Sequence, residues 1–489
     1  MFKNVLPEQV GIKSKKVIKF IKQLEERGLC MHSVLLSRGM DIFTECYWAP
    51  YDKDTLHRMY STTKSYVGIA VAQLAADGKI SLSDSITKYF PEYCENCHEY
   101  WKMQTIEDML KMQTCVYNTY WFYDNVEDRV AHYFSLKPNR PPNISYYYDS
   151  EGSFVLGALV EKVTGMSFLD YLREKCLNEI GFSKEAHCLK APGGYSWADS
   201  ALIAKPRDML LFGRLIANDG RWNGKPLLDE GMVKRAKSKL TDNYSTHEVD
   251  VYTRNRIGYG YQIWQCYDGS FAFYGMHDEL MIHHPKTDIT FVCTAGNPKI
   301  STMSHIIDAF FNIIIDSIGE EVIENEDDTN ALKDLISTRK LRYLSDTTKS
   351  DYEVLINGKR WIAENNPMGI TEFSLTFSDD KIIFDYVNAQ GEKSLSLGRG
   401  HNIFAQFPQT DYSKDIGGQR CKGHTYRSAS SAGWVSDNKL CVLTQVIDDY
   451  IGLLNISFHF GGQTAVVTMH REAEDFLDEY EGFMTANMQ

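Results

Sequence analysis

The spacing of apolar positions changes character along the chain. From Val17 to Arg27 they recur at helical spacing, which predicts an amphipathic helix. His32 to Leu36 and Ile42 to Tyr47 read as strands joined by the turn Arg38-Gly39-Met40. The run Ser61 to Ala76, STTKSYVGIAVAQLAA, is small and apolar almost all round and closes on Asp77-Gly78, as a helix closes on a C-terminal glycine. A helix with so little polar surface belongs at the centre of a domain.

Between about residues 7 and 317, helical stretches alternate with glycine-punctuated turns, and no segment is long or polar enough to be a linker. This predicts one large unit mixing helices and strands. Around 316–350 the composition turns acidic and amphipathic without aromatic residues, DSIGEEVIENEDDTNALKDL, which places a boundary there. Beyond it, Phe373–Phe377, Lys381–Tyr386, Lys439–Val446, Leu453–Phe460 and Thr464–Met469 alternate apolar and polar residues. Hairpin chemistry stands between them at Ser378-Asp379-Asp380, Asn388-Ala389-Gln390-Gly391 and Gly461-Gly462. The expected organisation is a catalytic domain over 1–320, an acidic helical connector over 321–350 and a small antiparallel β domain over 351–489.

Length and composition agree with this division. A chain of 489 residues exceeds one ordinary core. Its 43% hydrophobic and 24% charged residues are globular proportions. Lys and Arg total 52 against 65 for Asp and Glu, a formal charge of −13 with the acids scattered, so no basic face for nucleic acid or an anionic membrane surface is expected. The amino terminus, MFKNVLPEQVGIKSKK, carries no apolar signal-type run, and no stretch of roughly 18 apolar residues follows. The expectation is a cytoplasmic protein. Eleven cysteines spread from Cys30 to Cys441 read as mostly buried, reduced thiols and not as a disulfide scaffold.

The candidate chemistry begins at Ser61-Thr62-Thr63-Lys64. On a helix, residues three apart share a face, so the lysine amine lies near the serine hydroxyl. Four residues alone are weak evidence, since chance supplies such a pattern often. The apolar helix adds weight, because a lysine there is costly to bury in its charged form. A lysine driven toward its neutral form is the base a serine nucleophile requires.

At this point the chain resembles the serine β-lactamase-like hydrolases, a family that includes class C β-lactamases, penicillin-binding proteins, esterases and amide hydrolases. The resemblance covers roughly residues 5–316. LHRMYSTTKSYVGIAVAQLAADGKISLSDSITKYFPEY (56–93) looks like the nucleophile helix and the segment after it, and TIEDMLKMQTCV (105–116) is similar to the next helix. It implies an α/β (α+β) fold of the β-lactamase/transpeptidase type: an antiparallel sheet flanked by helices, with an all-helical lobe.

The family's Tyr-x-Asn box falls in register with Tyr148-Asp149-Ser150, followed by the L-x-G-type anchor Leu156-Gly157. The resemblance implies that Tyr148 is the proton-relay phenol; the alternative is that Tyr146, Tyr147 and Tyr148 form a structural aromatic cluster. Ser150, which the resemblance makes a candidate substrate-binding residue, stands where many relatives carry Asn. A segment at 191–228 resembles family scaffold, with Tyr195 or Trp197 as pocket residues or buried structural aromatics.

The Lys-Thr-Gly element of true β-lactamases is missing. Its counterpart is the expected strand Tyr274–Glu279, with Leu280–His284 pairing beside Ile289–Thr294. Gly275, Met276 and His277 then face substrate, and the oxyanion hole is formed by the N–H of Ser61 with that of Met276 or His277. His277 reads equally as a substrate-binding residue or as a tolerated polar residue at a strand end. Two other strings are read as incidental: Cys94-Glu95-Asn96-Cys97-His98, which matches a haem-attachment pattern, and His283-His284, whose neighbours on a strand point to opposite faces.

The expected activity needs no cofactor and no metal: Ser61 attacks the carbonyl of a small-molecule ester, amide or peptide, with Lys64 and Tyr148 moving the proton. Two alternatives stay open, a D-alanyl-D-alanine peptidase or β-lactamase, and a catalytically silent binding protein on the same fold. A homo-oligomer is compatible with either.

Overall fold

The protein is described by a computed structural model covering residues 2–116, 121, 126–243, 257–297, 301–323, 325–346 and 350–489. Glu324 and residues 347–349 of the acidic stretch lie outside the described residues. Two compact units emerge, 1–340 with 415–418, and 341–414 with 419–489.

The first unit is organised around an eight-stranded sheet ordered Lys3–Asn4, Asp41–Tyr47, Met31–Arg38, Ile289–Ala295, Leu280–His284, Phe271–Tyr274, Trp264–Gln265 and Gly258–Tyr259. Every pairing is antiparallel except the first. Leu280 pairs with Cys293 and His284 with Ile289, the neighbourhood expected from sequence. The central strands are buried along nearly their whole length. The reason is cover on both faces. Helix Ser14–Glu26 supplies Val17, Phe20, Ile21 and Leu24 to a core shared with Val34, Leu36, Ile282 and Phe291. Helix Pro206–Ala217 packs on the same strands, and its Gly213 lies so close to Met281 that an added Cβ would stand 2.9 Å from its side chain.

The helical lobe is built on Thr63–Ala76, in which every residue from Thr63 to Leu74 is buried. Helix Ser150–Thr164 crosses it at Gly157, where a Cβ would lie 2.1 Å from the Cβ of Ala198. That contact is the physical reason for glycine in the Leu156-Gly157 anchor, since any side chain would push away the turn that carries Ala198 and Asp199. The acidic helix Glu326–Ser337 packs on Ser14–Glu26 within this unit.

The second unit is a ten-stranded sheet closed into a barrel-like ring. Its order is Gly391–Gly398, Lys381–Asn388, Glu372–Phe377, Arg360–Ala363, Gly482–Met488, Thr464–Glu472, Ile451–Gly461, Lys439–Ile447, Arg427–Ser436 and Ile403–Gln406, with Gly398 also pairing Ser431. The pattern of apolar residues had predicted only the strands with clean alternation. Trp361, Phe373, Phe384, Trp434, Phe458 and Phe460 fill its interior.

Candidate active site

The turn that presents Ser61 is fastened before the helix begins. Strand His57–Arg58 pairs with Leu202–Ala204, and Met59 N–H donates to the Leu202 carbonyl at 2.7 Å. Leu202 N–H in turn donates to Thr63 Oγ1 at 3.2 Å. Tyr60, one residue before Ser61, holds φ at +42°, a left-handed conformation that costs a non-glycine residue of order 1–3 kcal/mol. A tight turn over Tyr60–Thr62 then runs into the helix and leaves Ser61 half-buried at its mouth.

Lys64 is 1% exposed, yet its amine is satisfied. Nζ donates to Ser61 Oγ at 2.9 Å and to the backbone carbonyl of Asp199 at 2.7 Å. It also lies 5.1 Å from the ring centroid of Tyr148. Tyr148 stacks on Trp264 at 5.6 Å, and among the described residues its hydroxyl makes no hydrogen bond. The ring therefore borders the amine, and among the described residues the hydroxyl makes no hydrogen bond to Lys64 or Ser61. Ser150 opens helix Ser150–Thr164, half-buried, behind the N-cap Asp149, whose carboxylate accepts from Gly152 N–H at 2.9 Å.

The counterpart of the Lys-Thr-Gly element differs from its expected form. The strand ends at Tyr274, and Met276–Asp278 make a tight turn with His277 at φ +64° and Asp278 at φ +70°. The expected strand over Tyr274–Glu279 is thus replaced by a hairpin turn closed by Gly275 N–H donating to the Glu279 carbonyl at 2.7 Å. Gly275 sits against the nucleophile turn, since a Cβ there would lie 2.7 Å from the Met59 carbonyl and 3.3 Å from Thr62. Met276 is 43% exposed, whereas His277 is buried against Tyr60 at 5.0 Å between ring centroids.

Burial pushes the His277 imidazole down to about 4, with Arg58 opposing its protonation further. The ring is neutral near pH 7, and among the described residues its nitrogens make no hydrogen bond of normal geometry. His57 is held down to about 3 by burial, and His32 is lowered by burial together with His57 and His277. His32, Tyr51 and His57 stack as one aromatic group beneath the turn. Arg58 lies between the rings of Tyr60 at 4.4 Å and Trp197 at 4.3 Å and donates from Nε to the Ser200 carbonyl at 3.1 Å. This gives Trp197 a structural contact, one of the two roles left open for it.

Sequence reasoning missed Arg129, Glu151 and Asp199. Arg129 is fully buried, with Nη1 2.6 Å from Asp199 Oδ1 and with Nε and Nη2 forked on Glu151 at 3.2 and 3.1 Å. Burial raises Glu151 to about 7 against the pull of Arg129. Breaking such a buried pair costs about 3–5 kcal/mol, because the survivor is left uncompensated. One signal was available: Glu151 stands in SEGSFVLGALV, where a buried acid requires a buried cation. Which cation it took was not legible, because Arg129 and Asp199 come from distant segments.

The incidental strings occupy other surroundings. His283 Nδ1 meets Thr290 Oγ1 at 3.0 Å, while His284 meets Thr287 and Asp268, so the two rings serve opposite faces of their strand. Among the described residues, no group of three or more His, Cys, Asp or Glu side chains is arranged to hold a metal, and no single helix is long and apolar enough to cross a membrane.

Comparison with known proteins gives this geometry a context. A family model described as Beta-lactamase matches residues 32–298. The 6-aminohexanoate-dimer hydrolase of Paenarthrobacter ureafaciens is 23% identical over 310 residues, spanning 58% of this chain and 76% of that one. The structure of a D-amino acid amidase from Ochrobactrum anthropi SV3 superimposes with a TM-score of 0.50 at 16% identity, covering 62% of this chain and 99% of the amidase. EstCE1, a hydrolase with promiscuous acyltransferase activity, does so with a TM-score of 0.50 at 14% identity over 62% of this chain and 99% of its own.

Proposed function

The chain belongs to the beta-lactamase family, and from that premise we propose that it is a serine hydrolase cleaving an ester or amide bond through an acyl-enzyme on Ser61. The observation that carries the reading is the 2.9 Å hydrogen bond from a buried Lys64 to Ser61 Oγ. In the reaction, Ser61 Oγ bonds to the carbonyl carbon and its proton passes to Lys64, acting as a neutral base. The N–H groups of Ser61 and of Met276 or His277 meet the negative charge that develops on the carbonyl oxygen. As the tetrahedral intermediate collapses, the C–O or C–N bond breaks and the leaving alcohol or amine takes a proton through Tyr148. Water then attacks the acyl ester, losing its proton to the same base and freeing Ser61.

A neutral acyl substrate is favoured over a carboxylate-bearing β-lactam or D-alanyl peptide. Where the β-lactamase pattern offers the lysine of Lys-Thr-Gly, this chain has Gly275-Met276-His277, and burial keeps the imidazole uncharged near pH 7. The names of the 6-aminohexanoate-dimer hydrolase and the D-amino acid amidase are compatible with an amide substrate.

The test is turnover of a panel of p-nitrophenyl esters, short linear amides and nitrocefin. Ester or amide hydrolysis that disappears in Ser61→Ala is expected, with nitrocefin a poor substrate. Efficient nitrocefin hydrolysis would favour the β-lactamase or peptidase reading. A folded protein inert to the whole panel would favour the silent binding protein.

A further inference from the structure

We infer that the buried group Arg129–Asp199–Glu151 is a positioning device for Lys64, fixing both the place of its amine and the electrostatic field in which that amine gains and loses its proton. The inference rests on the serine-hydrolase reading above and names residues that reading does not use.

The geometry supplies a continuous path. Lys64 Nζ hangs on the Asp199 carbonyl at 2.7 Å, and the side chain of the same residue is held by Arg129 at 2.6 Å. Arg129 is clamped in turn by Glu151, in the first turn of the helix that begins at Ser150. Phe154 and Trp121 flank the guanidinium, with ring centroids 4.3 and 4.7 Å away. Three separate segments, at 129, 151 and 199, thereby converge on the residue that carries the acceptor of Lys64. A scaffold alone needs no charges at such a place, since apolar packing of the same volume is often as stable or more so.

Other polar groups around Lys64 are arranged as follows. Ser61 and Tyr148 face it from the turn at Tyr60–Thr62 and from the segment Tyr148-Asp149-Ser150. Arg58 approaches from the neighbouring strand but is spent on Ser200 and two aromatic rings. Asp149, beside Tyr148, is buried and turned to cap the helix Ser150–Thr164. His277 is neutral near pH 7 and packs on Tyr60. Arg129 thus faces the carboxyl groups of Asp199 and Glu151, and in a water-poor interior the loss of a charge from this group is poorly screened at the amine that hangs on Asp199.

The experiment uses the full chain and follows kcat/KM for p-nitrophenyl acetate against pH in the wild type, Asp199→Asn, Arg129→Gln and Arg129→Lys. Asp199→Asn removes a negative charge, disfavours protonated Lys64 and moves the acid limb to lower pH. Arg129→Gln removes a positive charge and moves it to higher pH, each shift being on the order of one pH unit. Arg129→Lys keeps the charge and holds the limb near wild type even where its rate falls. Loss of rate without movement of the limb, or movement in the same direction for both charge changes, would overturn the inference. If Arg129→Gln fails to fold, the direction of the Asp199→Asn shift decides alone. Labelling of each protein by a fluorophosphonate separates the two claims. A wild type unlabelled at Ser61 defeats the hydrolase reading itself, whereas a labelled, active wild type with an unmoved limb defeats only this inference.

Discussion

The amine of Lys64 donates a 2.9 Å hydrogen bond to the hydroxyl of Ser61, and a second, 2.7 Å hydrogen bond to the Asp199 carbonyl leaves it little room to turn away. On the proposed reading, the nucleophile and its base are therefore in place before substrate arrives. Lys64→Met should lower kcat by about 10²–10⁴-fold while leaving the fold intact. Lys64→Arg should not restore it, because a guanidinium cannot become a neutral base. Steady-state kinetics of both variants, with circular dichroism to confirm folding, checks this.

Tyr148 gives a cleaner separation of chemistry from stability. Its hydroxyl has no hydrogen bond among the described residues, whereas its ring stacks on Trp264. Tyr148→Phe should change unfolding free energy by less than about 0.5 kcal/mol, since no partner is stranded. It should still lower kcat by at least about tenfold if the phenol carries the proton to the leaving group. Urea unfolding and kinetics on one preparation measure both quantities.

Gly157 is placed to couple packing to the site. A Cβ there would lie 2.1 Å from Ala198, one residue before the carbonyl that holds Lys64. Gly157→Ala should destabilise by about 1–3 kcal/mol through overpacking. It should also reduce kcat more than substrate binding, although residue 157 touches no reacting atom. The urea midpoint and the split between kcat and KM report the two effects.

The histidines under the nucleophile turn make stability depend on pH in a defined direction. Burial holds His57 down to about 3, far below its value in an unfolded chain. Between about pH 6.5 and 3 the unfolded chain binds the extra proton, so the protein loses stability as pH falls through that window. Buried carboxyls such as Asp278, raised to about 7 by burial, act with the opposite sign, so whole-protein curves mix the two. The comparison of wild type with His57→Gln isolates the histidine. Below pH 6.5 the wild type should lose stability faster than the variant, by about 1.4 kcal/mol per pH unit. Parallel curves in urea titrations at several pH values would contradict this.

The parts of this protein legible from sequence were those governed by local rules. Ser61 and Lys64 sit on one face because three residues of helix separate them, and the all-apolar surface of Thr63–Ala76 announced its burial. The strands with strict alternation in the second unit were readable for the same reason. Arg427–Ser436, RSASSAGWVS, was not, because its small and polar residues lack the β-branched signature although most are buried in the ring. The turn at Met276–Asp278 was read as strand because the resemblance places a strand there, although His and Asp are among the residues enriched in left-handed backbone, a weak signal that His277 and Asp278 did carry. Arg129 and Asp199 were invisible for a different reason: their meaning lies in partners about 70 residues apart in sequence that only the folded chain brings together.

The central claim, that Ser61 is an activated nucleophile, is tested most directly by intact-protein mass spectrometry after exposure to a fluorophosphonate. The account predicts one covalent adduct on the wild type, mapped to the peptide containing Ser61, and none on Ser61→Ala. Equal labelling of wild type and Ser61→Ala would contradict it.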